Sequence, residues 1–141
     1  VKSLTGLGVK IKFISDGDVS GAISVAYPEK KIDMYIGIGG APEGVLAAAA
    51  LKCLGCQMQT RLHFQNPSEK SRAIKFGIKD LNKKYNINDM VKGDVIFCAT
   101  GVSNGDFVKG IKDNGNLFYS ETLVLHYSSK TKDIYKNNTK K

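Results

Sequence analysis

From Val9 to Ile14 apolar Val9, Ile11 and Phe13 alternate with Lys10 and Lys12, the period-two pattern that predicts a half-buried strand. The pattern stops at Ser15-Asp16-Gly17-Asp18. Beyond this turn Val19, Ala22, Ile23 and Ala26 recur at helical spacing until Pro28, with Ser15 or Asp16 placed to cap the first turn. A second unit repeats the order. Ile32 to Ile38 reads as a strand, Gly39-Gly40-Ala41 as a tight turn, and Pro42 as the first residue of a helix that runs through Ala47 to Leu54 and stops at Gly55. Asn66-Pro67-Ser68-Glu69 announces a third helix, with Ile74, Ile78, Leu81 and Tyr85 along one face. Val95 to Ala99 is apolar throughout and predicts an interior strand covered on both faces, ending in a turn over Thr100 to Gly105. Asn116 to Tyr127 and Thr131 to Tyr135, separated by Ser128-Ser129, predict a terminal hairpin. The expected fold is one α/β domain over residues 1–141, with a mixed sheet flanked by helices and a C-terminal antiparallel hairpin.

At 141 residues the chain is long enough to bury about 70% of its unfolded surface, so it needs neither disulfides nor metal to hold a core. The longest apolar stretch, Val45 to Leu51, falls far short of the roughly 20 residues of a membrane span, so no membrane partner is expected. The opening residues lack the apolar segment of a secretory signal, which makes the cytoplasm the expected location. Cys53 and Cys56 form a C-x-x-C without the second pair that a zinc site needs, and they trail a helix instead of heading one, so they read as packed free thiols. The sequon at Asn137-Asn138-Thr139 has no secretory route to use it.

The formal charge of +8 raises nucleic acid as a partner, yet Arg61 and Arg72 are the only arginines and no basic stripe is interleaved with aromatics. Lysines alone suit a solvated surface, with Lys136 to Lys141 as a frayed tail. An anionic small molecule, such as a phosphate ester, suits the charge at least as well as nucleic acid does, and no nucleic-acid partner is expected.

Ligands gather beyond the carboxyl ends of strands in open α/β sheets, which is where the polar turns lie. Asp16 and Asp18 flank Gly17, so two carboxylates could accept from sugar hydroxyls or bind a hard cation; capping of the helix is the competing role. Gly37 to Gly44 matches neither the dinucleotide fingerprint nor the P-loop, because Pro42 and Val45 stand at the wrong places. The helix start itself still suits an anion, since Gly39 and Gly40 allow close approach to free amides. Glu43 falls in that first turn, where a carboxylate beside a bound anion makes electrostatic sense chiefly through a bridging metal. His63 and His126 have no carboxylate or nucleophile at motif spacing, and no serine lies in G-x-S-x-G, so a hydrolase triad is not expected.

Ser15-Asp16-Gly17-Asp18-Val19, the string Tyr35 to Val45 containing Gly-Ile-Gly-Gly-Ala-Pro-Glu-Gly, Asp94 to Val102 and Glu121-Thr122-Leu123 together resemble the class II fructose-1,6-bisphosphatases of the GlpX type, in colinear order over nearly the whole chain. The resemblance implies the C-terminal half of an inositol-monophosphatase-like sugar phosphatase fold. It also implies hydrolysis of the 1-phosphate of fructose 1,6-bisphosphate in gluconeogenesis with Mn²⁺ or Mg²⁺, sedoheptulose 1,7-bisphosphate being a second substrate of some relatives. By the same resemblance Asp16, Gly17 and Asp18 are the turn that holds the sugar, Gly40 a backbone contact to substrate and Glu43 a metal ligand. Family members are more than twice as long, so the chain is expected to be the C-terminal domain of a two-domain phosphatase, and the full-length protein is expected to be a homo-oligomer. It is also expected to be inactive alone, because a two-metal site needs several converging carboxylates. The other reading is a non-catalytic sugar-phosphate binding or regulatory module.

Overall fold

Fourteen consecutive helical residues, α3 (Ala41–Leu54), form the axis of the computed structural model, which describes residues 2–141. Its run Ala47 to Leu51 is buried without interruption, and a helix apolar all round must be covered on every side. The alanines let neighbours approach closely. On one flank Ala47, Ala48 and Leu51 pack with Ala22 of α2 (Asp18–Ser24) and Ile87 of the short α5 (Ile87–Met90). On the other, Ala50 and Cys53 meet Ile23, Phe97, Leu123 and Leu125, so helices α2 and α3 cover one face of a sheet. Gly55, in the left-handed region at φ 73°, ends α3 where the sequence stops it.

That sheet is built around β5 (Leu117–His126), which pairs along its whole length with β6 (Thr131–Lys140). The opposite edge of β5 is shared end to end by β3 (Ile96–Thr100), paired from Thr122 to His126, and the two-residue β4 (Lys112–Asp113), paired at Phe118 and Tyr119. The terminal hairpin is present as expected. It extends further, since residues 136–140 are paired strand and not a frayed tail. Every pairing is antiparallel, so among the described residues the sheet is not the mixed one expected. β3 is likewise an edge strand, with Phe97 buried and Ile96 60% exposed, because no strand lies on its far side.

The reason is that residues 9–14 and 32–38, both expected to be strands, run without regular structure and pair with no strand among the described residues. Most of their apolar residues stand in solvent, Phe13 73% exposed and Ile38 76%, whereas Ile32 and Tyr35 are half-buried. Alternation equips a strand with two faces but supplies no hydrogen-bonding neighbour, and without one the ladder cannot form. Asn66 caps α4 (Pro67–Lys75) as expected, accepting from the Glu69 amide at 3.0 Å, but the helix stops short of Ile78, Leu81 and Tyr85. Gly77 breaks it at φ 90°, and Tyr85 instead joins β2 (Lys84–Asn86), which pairs antiparallel with β1 (Gln59–Arg61). A four-residue α1 (Lys2–Thr5) and a 3₁₀ turn at Pro28–Lys30 complete the elements. No helix among the described residues is long and apolar enough to cross a membrane.

Candidate functional site

The packing of α2 on α3 brings their N-termini side by side, and with them Asp18, first residue of α2, and Glu43, in the first turn of α3. Both carboxylates close on Gly39. A Cβ placed at Gly39 would sit 2.9 Å from Asp18 Oδ2 and 3.1 Å from Glu43 Oε2, so only a glycine fits between them without displacing one. Negative charge at a helix N-terminus is favoured by the macrodipole, which offsets part of the repulsion between the two acids. Glu43 Oε2 also accepts from the Gly40 amide at 2.8 Å and thereby caps its own helix. Among the described residues Asp18 Oδ2 and Glu43 Oε1 carry no hydrogen bond.

Asp18 is held from the other side by Tyr35, whose hydroxyl donates to Oδ1 at 2.9 Å. The Tyr35 ring occupies a slot between two glycines, since a Cβ at Gly21 would lie 2.8 Å from the ring and one at Gly37 2.5 Å from the hydroxyl oxygen. Burial, then the hydrogen bond to Asp18, then the charges of Asp18 and Glu43, push the Tyr35 hydroxyl up to about 12. Tyr35 is therefore a fixed donor, and it leaves Oδ2 as the reactive edge of Asp18. The sequence placed Tyr35 inside the glycine-rich string without giving it a role; its position two residues before Gly37 was the available signal.

Asp16 does not join this pair. Its Oδ1 accepts from the Gly17 amide at 2.7 Å, so neither it nor Ser15 caps α2. The capping position falls to Gly17, at φ 83°, whose carbonyl accepts from the Ser20 hydroxyl at 2.8 Å. The structure thus brings together Asp18, Gly39, Gly40 and Glu43, and leaves Asp16 in its own loop.

Hard carboxylate oxygens are the right donors for Mg²⁺ or Mn²⁺. Two of them are only part of a shell, and no group of three His, Cys, Asp or Glu side chains placed to hold a metal occurs among the described residues. Cys53 is buried and Cys56 half-buried, and burial pushes both thiols up, the opposite of an activated C-x-x-C.

A further constellation escaped sequence spacing. Asp94, just before β3, accepts at Oδ2 from the Ser128 hydroxyl at 2.6 Å and lies 2.8 Å from His126 Nε2; His126 Nδ1 is 2.7 Å from Ser129 Oγ. Hydrogen bonds from Ser128 first and His126 second hold the Asp94 carboxyl down at about 2. Thirty-two residues separate the acid from the imidazole, which only the β3–β5 pairing joins. The cluster ties the hairpin turn to the start of β3.

Carboxylates at paired helix N-termini over a glycine turn, on an α/β framework, are consistent with a phosphatase domain. The family model described as bacterial fructose-1,6-bisphosphatase, glpX-encoded, matches residues 1–139, and the chain belongs to that family. A Haemophilus influenzae protein described as fructose-1,6-bisphosphatase class 2 is 39% identical over 145 residues, covering 93% of this chain and 43% of the relative. A Synechococcus protein described as D-fructose 1,6-bisphosphatase class 2/sedoheptulose 1,7-bisphosphatase is 35% identical over 144 residues, covering 93% of this chain and 42% of the relative. The chain therefore spans less than half the length of the curated relatives it matches.

Proposed function

We propose that this chain is the C-terminal domain of a metal-dependent sugar-bisphosphate phosphatase that removes the 1-phosphate of fructose 1,6-bisphosphate in gluconeogenesis. The observation that carries this reading is the convergence of Asp18 and Glu43 on Gly39, within the strings shared with the family. Asp16, Gly17 and Asp18 form the sugar-facing turn, with Asp18 Oδ2 accepting from a hydroxyl while Tyr35 fixes Oδ1. Glu43 is the residue here that would hold Mg²⁺ or Mn²⁺, and such an ion supplies charge neutralisation of the phosphoryl group and an activated water. The Gly40 amide is engaged by Glu43 in this structure, so committing the carboxylate to a cation frees the amide to donate to substrate. Positioning is the contribution of these residues, as expected for phosphoryl transfer.

The other metal ligands lie outside the residues of this chain, which makes the isolated chain a binder without turnover. Free thiols suit a reducing compartment, and we place the protein in the cytoplasm. The assembled enzyme is read as a homo-oligomer. Titrating the ¹⁵N-labelled chain with fructose 1,6-bisphosphate, with and without Mg²⁺, tests the binding half. Localised amide shifts at 16–18 and 39–44 are expected, and none at millimolar ligand would remove the support for the site. Phosphate release by the chain above that of a Glu43→Gln control would overturn the expected inactivity.

A further inference from the structure

A second concentration of ligand-type chemistry lies away from Asp18 and Glu43. A cavity of about 290 Å³ is lined by Arg61, His63, Lys70 and Asn82, with Leu62 and Leu81 among its apolar walls. No acidic residue lines it. Among the described residues Arg61, His63 and Lys70 make no ion pair and no side-chain hydrogen bond, whereas Lys30, Lys83 and Lys141 are paired with Asp106, Asp89 and Asp113. The acids closest along the chain are committed elsewhere. Glu69 accepts from the Gln65 amide and the Asn66 side chain, Asp80 from the Asn82 amide, and Asp89 from the Asn86 amide and Lys83.

Backbone register adds an independent sign. Arg61 stands directly opposite Lys84 in the β1–β2 ladder, and like charges facing each other across an antiparallel pair destabilise it. Arg61 thus brings to the cavity a charge that its strand partner does not compensate, beside Lys70 and His63, and an anion bound there relieves it. Arginine adds fork geometry, which matches the oxygens of phosphate two at a time.

We propose that this cavity binds a phosphate group, carried by inorganic phosphate or by a small phosphate monoester, with Arg61 as the bidentate donor and Lys70 as the second cation. His63 and the Asn82 amide group complete the donors, and Leu62 and Leu81 offer contact to the organic part of an ester. The site is separate from the one formed by Asp18 and Glu43, and it does not depend on the catalytic reading.

The test is an amide-shift titration of the ¹⁵N-labelled 141-residue chain with sodium phosphate, then with phenyl phosphate, against sodium chloride of equal ionic strength. Saturable shifts at 61–64, 70 and 81–82, absent in chloride, are expected with phosphate. Tighter saturation with phenyl phosphate assigns the walls to an ester, and equal saturation assigns the site to free phosphate; both support the proposal. Arg61→Gln and Lys70→Gln should each weaken binding about tenfold, as expected for losing one charge-assisted contact. Both side chains are exposed, so neither variant threatens the fold, and an unchanged amide spectrum without ligand checks this. Shifts that rise linearly without saturating, that match those in chloride, or that are confined to 39–44 would each overturn the proposal. So would full affinity in both variants.

Discussion

Residues 9–14 and residues 117–126 both predict strands, the first by apolar positions alternating with polar ones and the second by its β-prone composition, and they meet opposite fates. The later segment becomes β5, paired on both edges and buried at Leu123 and Leu125 by helices α2 and α3. The earlier one, with 32–38 beside it, stays extended, unpaired and largely exposed, although it leads into the turn that carries Asp18. Alternation specifies which face of a strand is apolar; it does not specify a neighbour, and a strand is a property of two chains of backbone at once. The contrast also separates stability from site chemistry. The buried core gathers around α3 and β5, and the candidate-site carboxylates Asp18 and Glu43 sit where the packed helices begin.

The largest effect that would break this comparison is in the core. Leu125 is fully buried, and Leu125→Ala should cost about 2–5 kcal/mol in a urea melt, whereas Ile38→Ala should stay within about 0.5 kcal/mol. Similar losses at both positions would show that 32–38 is packed in solution.

Next comes the floor of the site. Gly39→Ala puts a methyl group within 2.9 Å of Asp18 Oδ2 and 3.1 Å of Glu43 Oε2, so sugar-bisphosphate binding should fall about tenfold or more while the melt changes little. Equal affinity, read by the amide titration, would mean that the two carboxylates do not converge.

A smaller effect belongs to Tyr35. Its hydroxyl is pushed up to about 12, so the stabilisation it gives is fully present below the ordinary value of 10 and is lost as pH rises through about 12. Burial and then Glu29 also push the Tyr27 hydroxyl up, so tyrosinate absorbance should show late-titrating tyrosines, and Tyr35→Phe should remove one of them and weaken sugar-bisphosphate binding severalfold.

The smallest is at the hairpin turn. The Asp94 carboxyl is held down at about 2 against an ordinary 3.8, so its contribution is present above about pH 4 and lost as pH falls through about 2. Protection of the amides at 126–131, taken relative to the intrinsic exchange rate at each pH, should fall over that range, and Asp94→Asn should show the lower protection already at neutral pH.

Much of this molecule was readable before any coordinates. The glycine turn before α3, the cap at Asn66 and the terminal hairpin are local, the first two written within a few residues and the third within one continuous stretch, Leu117 to Lys140, and local chemistry specifies them. Glu43 and Asp18 were legible as helix-start carboxylates, but their meeting at Gly39 depends on how α2 lies on α3, which alanine packing decides. The same limit hid Tyr35 behind Asp18 and Asp94 behind His126, since pairing across seventeen and thirty-two residues leaves no periodic trace. Asp16 stands apart from Asp18 and Glu43 because a nearer partner, the Gly17 amide, takes its Oδ1.

β6 is a ten-residue strand whose outer edge is unpaired among the described residues, and such an edge is a template on which another chain can add. Lys132, Lys136 and Lys140 recur along it every fourth residue. A second copy docking there would have to desolvate that row and oppose it with its own, which makes three of the lysines behind the basic isoelectric point a guard against fibrillar self-association.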